Sequence, residues 1–440
     1  MVINKPLEKK GNIKKITIEW IAIFVVFIFS FFNTFTLLIS LILMMLLLKQ
    51  REIGAIKIIN LVTLRTIINP AIAISIGELQ NIKWLILFGC SLYLWSAFLK
   101  IESQNVKKIK PILLIMALFT FYNILVAFIF SSLPIVATFK LISYVFIFLG
   151  TLIGIAATYR YINWLKWMYT LLLILMVTSV FSLIFPSISY IRNGFSFQGL
   201  TNQPNMFGIV SVLFLALFLT YVQYNKTSKF YFLTILILTY GLSLLSLSRT
   251  SIISLTVLLI IYYSFRKIND IKIVVASIFT IAIVYITMTE NLVKSFIIAF
   301  LYKGNDENIL ASRTNQLEGL TERFLQNPWF GNGFAVPVLS NKSFIFSTEF
   351  VVEPGNLIIS VLSYSGIFGF LIFLVFLIKV FTSSNAYKKL VFLPVGALLV
   401  SMGEMVFFSS NNIGIWTYMF ISIYIIVDNK KEDKENNKHE

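Results

Sequence analysis

The sequence predicts an all-α fold, a polytopic membrane helical bundle of about 12–14 transmembrane helices with one long extracytoplasmic loop that contains short helices. Of its 440 residues, 58% are hydrophobic and only 12% are charged, whereas an ordinary soluble domain carries about 25% charged residues. Apolar runs recur at short intervals between residues 16 and 427. Basic residues collect in alternate connecting segments. These three observations leave no room for a soluble domain of normal size.

Hydropathy predicts fourteen spans in chain order. They lie near residues 16–32, 34–48, 53–76, 82–99, 111–131, 134–157, 164–185, 204–223, 229–247, 251–264, 271–288, 355–379, 389–408 and 412–427. The first three allow an alternative. Residues 16–48 could form one overlong helix instead of a hairpin turning at Asn33, and the segment 53–76, with Lys57, Arg65 and Pro70, could be interfacial. Twelve spans would keep the same sidedness.

The net charge of +17 does not indicate nucleic acid, because the basic residues separate by side. Placing the amino terminus in the cytoplasm assigns 25 Lys and Arg residues to the cytoplasmic connections and seven to the outer ones. The seven are Arg192, Arg249, Lys294, Lys303, Arg313, Arg323 and Lys342. The positive-inside rule explains this bias. We therefore expect a multi-pass protein of a bacterial cytoplasmic membrane with both termini cytoplasmic.

Residues 1–427 are predicted to form a single integral membrane domain, in which residues 289–354 are the large extracytoplasmic loop. Residues 428–440 are a charged cytoplasmic tail. Cys90 is the only cysteine, and the only histidine, His439, lies in that tail. Zinc, haem and histidine-based catalysis are therefore excluded, and we expect no metal site and no cofactor.

Within the long loop, residues 312–326 read as a helix with Ser312 as N-cap and Asn327-Pro328 as a stop. At about 100° per residue, Arg313 shares its face with three apolar side chains, while two carboxylates point the opposite way. The apolar residues are Leu317, Leu320 and Phe324, and the acidic ones are Glu318 and Glu322. An arginine on an apolar face requires an anion, unless it snorkels to water.

Two further arginines are predicted at the outer boundary. The run 229–264 has 36 residues, roughly 54 Å as a helix, so it must break at its one polar interruption, residues 246–251. Arg249 lies in that break, where it could also simply end a helix. Arg192 lies in the short outer segment 190–194, where an ordinary loop cation is the alternative.

Glu353 precedes Pro354-Gly355-Asn356, where the long loop returns to the membrane. A carboxylate at a helix amino end is stabilised by the macrodipole, so capping explains it fully. A partly apolar mouth could also raise its pKa enough for it to act as a base. Glu404, near the outer end of its span, is expected to make helix–helix hydrogen bonds.

The candidate site has arginines on the outer face, one carboxylate and no metal ligands. Such a set of residues is consistent with an enzyme that transfers a sugar from a lipid pyrophosphate. Guanidinium groups in bidentate contact can stabilise the leaving pyrophosphate in place of Mg²⁺. A single base then takes the proton of an acceptor hydroxyl as it attacks the anomeric carbon from the opposite side, which inverts the configuration.

Several motifs occur in order between residues 192 and 370. They are Gly199 with Gln203-Pro204-Asn205, Ser248-Arg249, Ser312-Arg313 followed by Asn327-Pro328-Trp329-Phe330-Gly331-Asn332-Gly333-Phe334, Glu353-Pro354-Gly355-Asn356, and Ser365-Gly366-Ile367-Phe368-Gly369. In this order, with the long outer loop, they resemble the O-antigen ligase/polymerase family of bacterial surface polysaccharide assembly. The resemblance implies a metal-independent inverting glycosyltransferase that uses undecaprenyl-pyrophosphate-linked oligosaccharides outside the membrane.

The resemblance also implies that Arg249 and Arg313 hold the pyrophosphate. From its position at the membrane re-entry, Glu353 is our candidate for the catalytic base. We predict Arg192, Asn205, Asn356 and Trp329 as substrate-binding residues. In the ligase branch a histidine commonly stands where Glu353 stands here, which favours a polymerase of O-antigen or capsular repeat units over a ligase. A lipid-linked glycan flippase or transporter is the alternative of another class, although its charges should lie near the bilayer midplane. A chain-length regulator and a flippase of the same pathway are the expected protein partners.

Overall fold

A computed structural model describes residues 10–192, 194–265, 311–336 and 355–427. Within these ranges the chain forms α-helices joined by 3-10 turns and loops, and its one β-bridge pairs Ile68 with Thr201. The α-helices are α1 (Lys10–Phe29), α2 (Thr34–Met44), α3 (Glu52–Thr66), α4 (Gln80–Ser96), α5 (Ser103–Phe130), α6 (Pro134–Thr158), α7 (Trp164–Ser182), α8 (Pro186–Ser189), α9 (Pro204–Tyr224), α10 (Lys229–Leu245), α11 (Arg249–Phe265), α12 (Ala311–Gln326), α13 (Leu357–Thr382), α14 (Tyr387–Leu390), α15 (Phe392–Gly403) and α16 (Gly414–Ile426). The predicted all-α class is confirmed.

Six helical segments of the described chain are long and apolar enough to cross a membrane. They are Ile76–Lys100, Ser103–Phe130, Pro134–Thr158, Trp164–Ser182, Pro204–Tyr224 and Leu357–Thr382. Six shorter apolar helices accompany them, at Ile18–Phe29, Thr34–Gln50, Lys229–Leu245, Arg249–Phe265, Phe392–Gly403 and Gly414–Ile426. The predicted span 271–288 lies outside the described residues.

The first predicted hairpin is confirmed, and the third predicted span is wrong. Asn33 separates α1 from α2, and its Oδ1 accepts a hydrogen bond from the Thr36 amide at 2.8 Å, as an N-cap does. α3 ends at Thr66, ten residues before the predicted end at 76. Nearly all of its residues are buried inside the bundle. Asn69 and Pro70 follow, and the irregular chain there is held by the Asn69 side chain, which donates to the Ile188 carbonyl at 2.8 Å.

The centre of the bundle consists of α6, α9 and α16, which are largely buried along their length. Helices on the periphery expose apolar side chains instead. Leu85 and Ile135 are 72% and 79% exposed, and α5 and α13 carry further exposed Leu, Ile and Phe side chains. An apolar outer surface of this extent is typical of helices that face lipid.

The bundle has two chemically different ends. At the basic end, ion pairs join Glu52 to Lys100 and Glu102 to Arg160. At the opposite end, which we call the loop end, lie the connecting segments 131–133, 183–203, 246–248, 327–336 and 404–413. Among the described residues, those predicted to be cytoplasmic and those predicted to be outer therefore lie at opposite ends of the molecule.

The predicted break in the run 229–264 is confirmed. α10 ends at Leu245 and α11 begins at Arg249. Leu247 between them has φ of 52°, in the left-handed region that stops a helix. The hydroxyls of Ser248 and Ser251 are 2.7 Å apart at the start of α11. The chain thus reverses direction at the loop end and places Arg249 at a helix start.

Candidate functional site

Three helices begin close together at the loop end, namely α9, α11 and α13. α9 and α11 touch through Gly208, where an added Cβ atom would lie 2.2 Å from the Ser251 hydroxyl oxygen. The last turn of α15 packs between them from the opposite direction. Helix starts carry partial positive charge from unpaired backbone amides. This part of the loop end therefore favours an anion.

Asn205 and Glu404 meet at this position. The Asn205 side-chain amide donates to Glu404 Oε1 at 2.9 Å, which ties the first turn of α9 to the residue that caps α15. Both side chains are partly exposed. The predicted helix–helix hydrogen bond of Glu404 is confirmed. The side-chain oxygen of Asn205 can still accept a hydrogen bond. The predicted contact of Asn205 with substrate stays a prediction.

Gly403 joins the start of α13 to the start of α11. A Cβ atom on Gly355 would lie 2.0 Å from the Gly403 carbonyl oxygen, so the two backbones are in contact. A Cβ atom on Gly403 would lie 2.7 Å from the Cβ of Thr250, the neighbour of Arg249. Gly355, two positions after Glu353, is therefore held beside the helix that begins with Arg249. Glu353 itself lies outside the described residues.

Arg249 is the first residue of α11, and its side chain is partly exposed. A cation at a helix start opposes the macrodipole, which favours anions there. Stabilisation of the helix end therefore does not account for an arginine at this position. An anion bound at this position would interact with both the guanidinium and the helix start.

Arg192 lies at the loop end on an exposed turn. Its backbone amide donates to the Gln198 side chain at 3.1 Å, and the Phe197 amide donates to the Leu245 carbonyl at 2.9 Å. These contacts fasten the segment 194–199 against the end of α10, close to the break before Arg249. The structure therefore places Arg192 on the rim of the same region.

The predicted loop helix is confirmed as α12, with a shifted start. It begins at Ala311, so Ser312 is its second residue and not its N-cap. Leu320 is fully buried, while Glu318 and Glu322 are exposed, as the predicted face requires. α12 packs against α13. Arg313 lies on the buried face by helical geometry, and the position of its side chain is outside the described residues.

α13 is interrupted at Gly366, where φ is 60° and ψ is −170°. The segment that follows α12 fills the interruption. The Asn332 and Gly333 amides donate to the Ser363 and Tyr364 carbonyls, both at 3.1 Å. The Ile367 amide in turn donates to the Pro328 carbonyl at 2.9 Å. Backbone groups freed by the broken helix are thus satisfied inside the bundle.

Two side chains of α5 hold this interruption in place. The Tyr122 hydroxyl donates to the Ser365 carbonyl at 2.9 Å, and the Ser365 hydroxyl donates to the Asn123 side-chain oxygen at 2.7 Å. Asn123 and Ser365 are fully buried. The segment 327–336, which we call the docked loop, is therefore fixed against α13 and α5. It determines where α12, and with it the backbone of Arg313, sits at the loop end.

Arg323 stabilises the docked loop through hydrogen bonds. Its guanidinium donates to the Val336 carbonyl at 2.9 Å, and its own carbonyl accepts a hydrogen bond from the Asn332 side chain. Burial lowers the pKa of the Arg323 guanidinium, against a smaller opposing effect of Tyr364. An arginine stays protonated in proteins even so. Arg323 is thus an outer arginine with a structural role.

Trp329 and Asn356, both predicted to bind substrate, differ in their surroundings. Trp329 lies on the docked loop, is 55% exposed and has its ring centroid 5.8 Å from that of Phe368. Asn356 caps α13 by accepting a hydrogen bond from the Ile359 amide at 3.2 Å, and its φ is 151°. A side chain in that backbone region is strained, and such strain concentrates at functional sites. Their predicted binding roles stay predictions.

Replacing Gly366 with alanine is expected to destabilise the protein. A Cβ atom there would lie 2.4 Å from the Trp329 carbonyl oxygen, and the backbone conformation is one that only glycine adopts freely. We expect a loss of at least about 1–3 kcal/mol of unfolding free energy, read as a lower melting temperature of the purified protein. Gly241→Ala on α10 is the matched control, because a Cβ there meets nothing within 4 Å. Equal melting temperatures for both variants would contradict the docked-loop contact.

Sequence reasoning missed the residues that support the site from distant parts of the chain. Tyr122 and Asn123 lie inside an apolar span, where nothing distinguishes them from lipid-facing or core positions. Lys83 and Lys140 carried a usable signal, because a charged residue within a span is costly and is retained for a reason. The sequence alone did not indicate which residues these two lysines contact.

The fold and this arrangement define a class, the multi-spanning helical membrane proteins whose polar groups collect where several helices start at one end. A sequence comparison gives the particular family. The model of the family described as O-antigen ligase matches residues 233–374. This segment of the chain is therefore similar to that family, and the predicted resemblance is confirmed. No curated protein matches the chain.

The matched segment contains most of α10, all of α11 and α12, and the start of α13 with its interruption at Gly366. It includes the helix start at Arg249, the position of Arg313, and the docked loop. The similarity of this segment to the O-antigen ligase family is consistent with a membrane enzyme of the ligase or polymerase type.

Proposed function

We propose that this protein polymerises undecaprenyl-pyrophosphate-linked oligosaccharide repeat units into O-antigen or capsular polysaccharide. The observation that carries the proposal is the contact of Gly355 with Gly403, and of Gly403 with Thr250. Through it, the segment that follows Glu353 lies beside the start of α11 and Arg249. In the proposal, Glu353, two positions before Gly355, supplies the base, and Arg249 supplies part of the pyrophosphate site.

In the proposed reaction, an acceptor sugar hydroxyl attacks the anomeric carbon of the lipid-linked donor. The bond between that carbon and the pyrophosphate oxygen breaks, and Glu353 takes the hydroxyl proton. The electron pair leaves with the polyprenyl pyrophosphate, whose negative charge Arg249 and Arg313 stabilise with their bidentate donors. One displacement at carbon inverts its configuration. No metal and no cofactor is required in this proposal.

The remaining predicted residues surround this reaction centre in the proposal. Asn205 reaches it from the first turn of α9, and Asn356 from the cap of α13. Arg192 lies on the rim, where it can meet an anionic group or a sugar hydroxyl. Trp329 offers an exposed ring against which a sugar face can pack.

The direct test supplies purified protein with a lipid-linked repeat unit, without nucleotide sugar or ATP. Longer lipid-linked glycans that increase by whole repeat units are the expected product. Transfer of glycan to a different acceptor, without chain growth, would make the protein a ligase instead. Movement of intact lipid-linked glycan across vesicles, with no new glycosidic bond, would identify a flippase or transporter and overturn the proposed chemistry.

We further propose that the loop end faces the outside of a bacterial cytoplasmic membrane and that both termini are cytoplasmic. The lysines and arginines of the basic end support this orientation. A chain-length regulator and a flippase of the same pathway are the protein partners that such a polymerase would need, while nucleic acid is not an expected partner.

Cysteine labelling tests this orientation. Ser187→Cys at the loop end and Gln104→Cys at the basic end both replace exposed residues, while the native Cys90 is buried. In intact cells, an impermeant thiol reagent should label Ser187→Cys and leave Gln104→Cys unlabelled until the membrane is permeabilised. The opposite pattern would reverse the orientation and remove the site from the outer face.

A further inference from the structure

A cavity of about 360 Å³ lies at the loop end between α4, α6 and the segment 404–413. Its wall combines aromatic rings with a lysine and small polar groups, and the acidic residues of the described chain do not line it. The residues used below are Trp84, Phe139, Lys140, Phe408 and Asn411. The cavity shares no lining residue with the cluster of helix starts around Arg249. It is therefore a separate feature of the same end of the bundle.

Lys140 lines this cavity, and Lys83 is buried behind its wall at Asn411. Lys83 is 3% exposed, and its ammonium group donates a long hydrogen bond, 3.4 Å, to the carbonyl oxygen of Asn411. Lys140 lines the cavity and donates to the Ala335 carbonyl at 2.8 Å. A buried ammonium held by one long bond to a neutral carbonyl is poorly compensated. An anion in the cavity would touch Lys140 and, across Asn411, would also reduce the cost of the buried Lys83 charge.

An aromatic ladder continues from the cavity along the seam of α4 and α6. Ring centroids are 5.4 Å apart for Trp84 and Phe88, 5.8 Å for Phe88 and Phe146, and 5.9 Å for Phe146 and Trp95. From Trp84 to Trp95 the seam is about 16 Å long. Gly89 on this face is exposed, and a Cβ atom there would meet nothing within 4 Å. The seam is thus an open apolar groove that runs from the cationic cavity towards the basic end.

We propose that this cavity and groove bind a polyprenyl phosphate or pyrophosphate lipid, with its phosphate at Lys140, close to the buried charge of Lys83, and its isoprenoid chain along the aromatic ladder. The cationic cavity matches the phosphate head of such a lipid, and the apolar groove matches its isoprenoid chain. The proposal rests on the proposed polymerase function, in which donor and acceptor are both lipid-linked and two lipid sites are needed. Lys140 contacts the docked loop at Ala335, so the second lipid lies next to α12.

The site is tested by binding geranylgeranyl pyrophosphate to the full purified chain, with bound lipids counted by native mass spectrometry. Wild type should take up two lipids. Lys83→Met and Lys140→Met should each weaken one of the two by about tenfold or more, as expected on losing a hydrogen bond to a charged group. Lys166→Met is the matched control, because Lys166 is exposed at the basic end. It should bind like wild type.

Two competing ligands test the phosphate site and the apolar groove separately. Inorganic pyrophosphate that displaces the lysine-dependent lipid at equal concentration would show a site for a free anion and overturn the groove. Geranylgeraniol that does so would show an apolar groove without anion recognition and overturn the role of the lysines. Lys83 is buried, so a Lys83→Met variant that fails to fold leaves the decision to Lys140→Met. Wild-type binding by a folded Lys140→Met variant overturns the site.

Binding is measured without turnover, so the two proposals fail separately. If lipid binding depends on the lysines but the protein transfers no sugar, the lipid site is supported and the polymerase proposal is contradicted. Polymer formation with undiminished lipid binding in both lysine variants would keep the polymerase and reject this site.

Discussion

Glu353→Gln is expected to abolish glycan polymerisation while substrate binding persists. Glutamine preserves the shape and much of the hydrogen bonding of glutamate but takes no proton from an acceptor hydroxyl. A general base contributes about 10²- to 10⁴-fold to rate, so we expect a loss of that order in turnover. The measurements are polymer formation, binding of lipid-linked repeat unit, and melting temperature, all made on the same preparation.

The paired readout separates catalysis from helix capping. Loss of a cap costs only about 0.5–2 kcal/mol and should lower the melting temperature more than the turnover. Glu318→Gln is the matched control, because Glu318 is an exposed carboxylate on the opposite face of α12 and should leave all three measurements unchanged. A Glu353→Gln protein that melts early yet polymerises normally would make Glu353 a capping residue only.

Arg249→Lys and Arg313→Lys are each expected to lose about 10²- to 10³-fold in polymerisation rate, the range found for donors that stabilise a developing anion. Lysine keeps the positive charge but not the bidentate fork that matches a pyrophosphate. Folding should survive, because the charge and most of the side-chain length are retained. Polymerisation rate and melting temperature, measured together, check both statements.

The control for the arginines is Arg160→Lys at the basic end, where Arg160 pairs with Glu102 and is largely exposed. It should polymerise like wild type. Normal turnover by a well-folded Arg313→Lys protein would mean that Arg313 snorkels from α12 to water. Normal turnover by Arg249→Lys would leave the helix start without its proposed ligand.

The bundle itself was predictable because its signals are local. Apolar runs and the distribution of lysine and arginine predicted the helices and their two chemically different ends. The excessive length of the run 229–264 required a break, and the break is present before Arg249. The third span failed because local hydropathy did not weigh the side-chain contacts of Asn69, which hold irregular chain after Thr66.

For the candidate site, the sequence alone determined which residue types are present and that they lie near the outer ends of the helices. Periodicity predicted the buried face of α12 correctly, because helical geometry relates neighbours without knowledge of the rest of the fold. It also identified Glu404 as a carboxylate with a helix–helix contact. It could not identify Asn205 as the partner, since the two lie almost 200 positions apart in the chain.

Only the tertiary structure decided which distant segments meet. The contacts of Gly403 with Gly355 and Thr250, and the docking of residues 327–336 into the interruption at Gly366, depend on how close two backbones approach. The cavity between Trp84 and Lys140 likewise arises from helices 50 or more residues apart in the chain. The physical reason is that periodicity and hydropathy determine which face of a helix is buried, whereas the register between helices depends on the mutual fit of all of them.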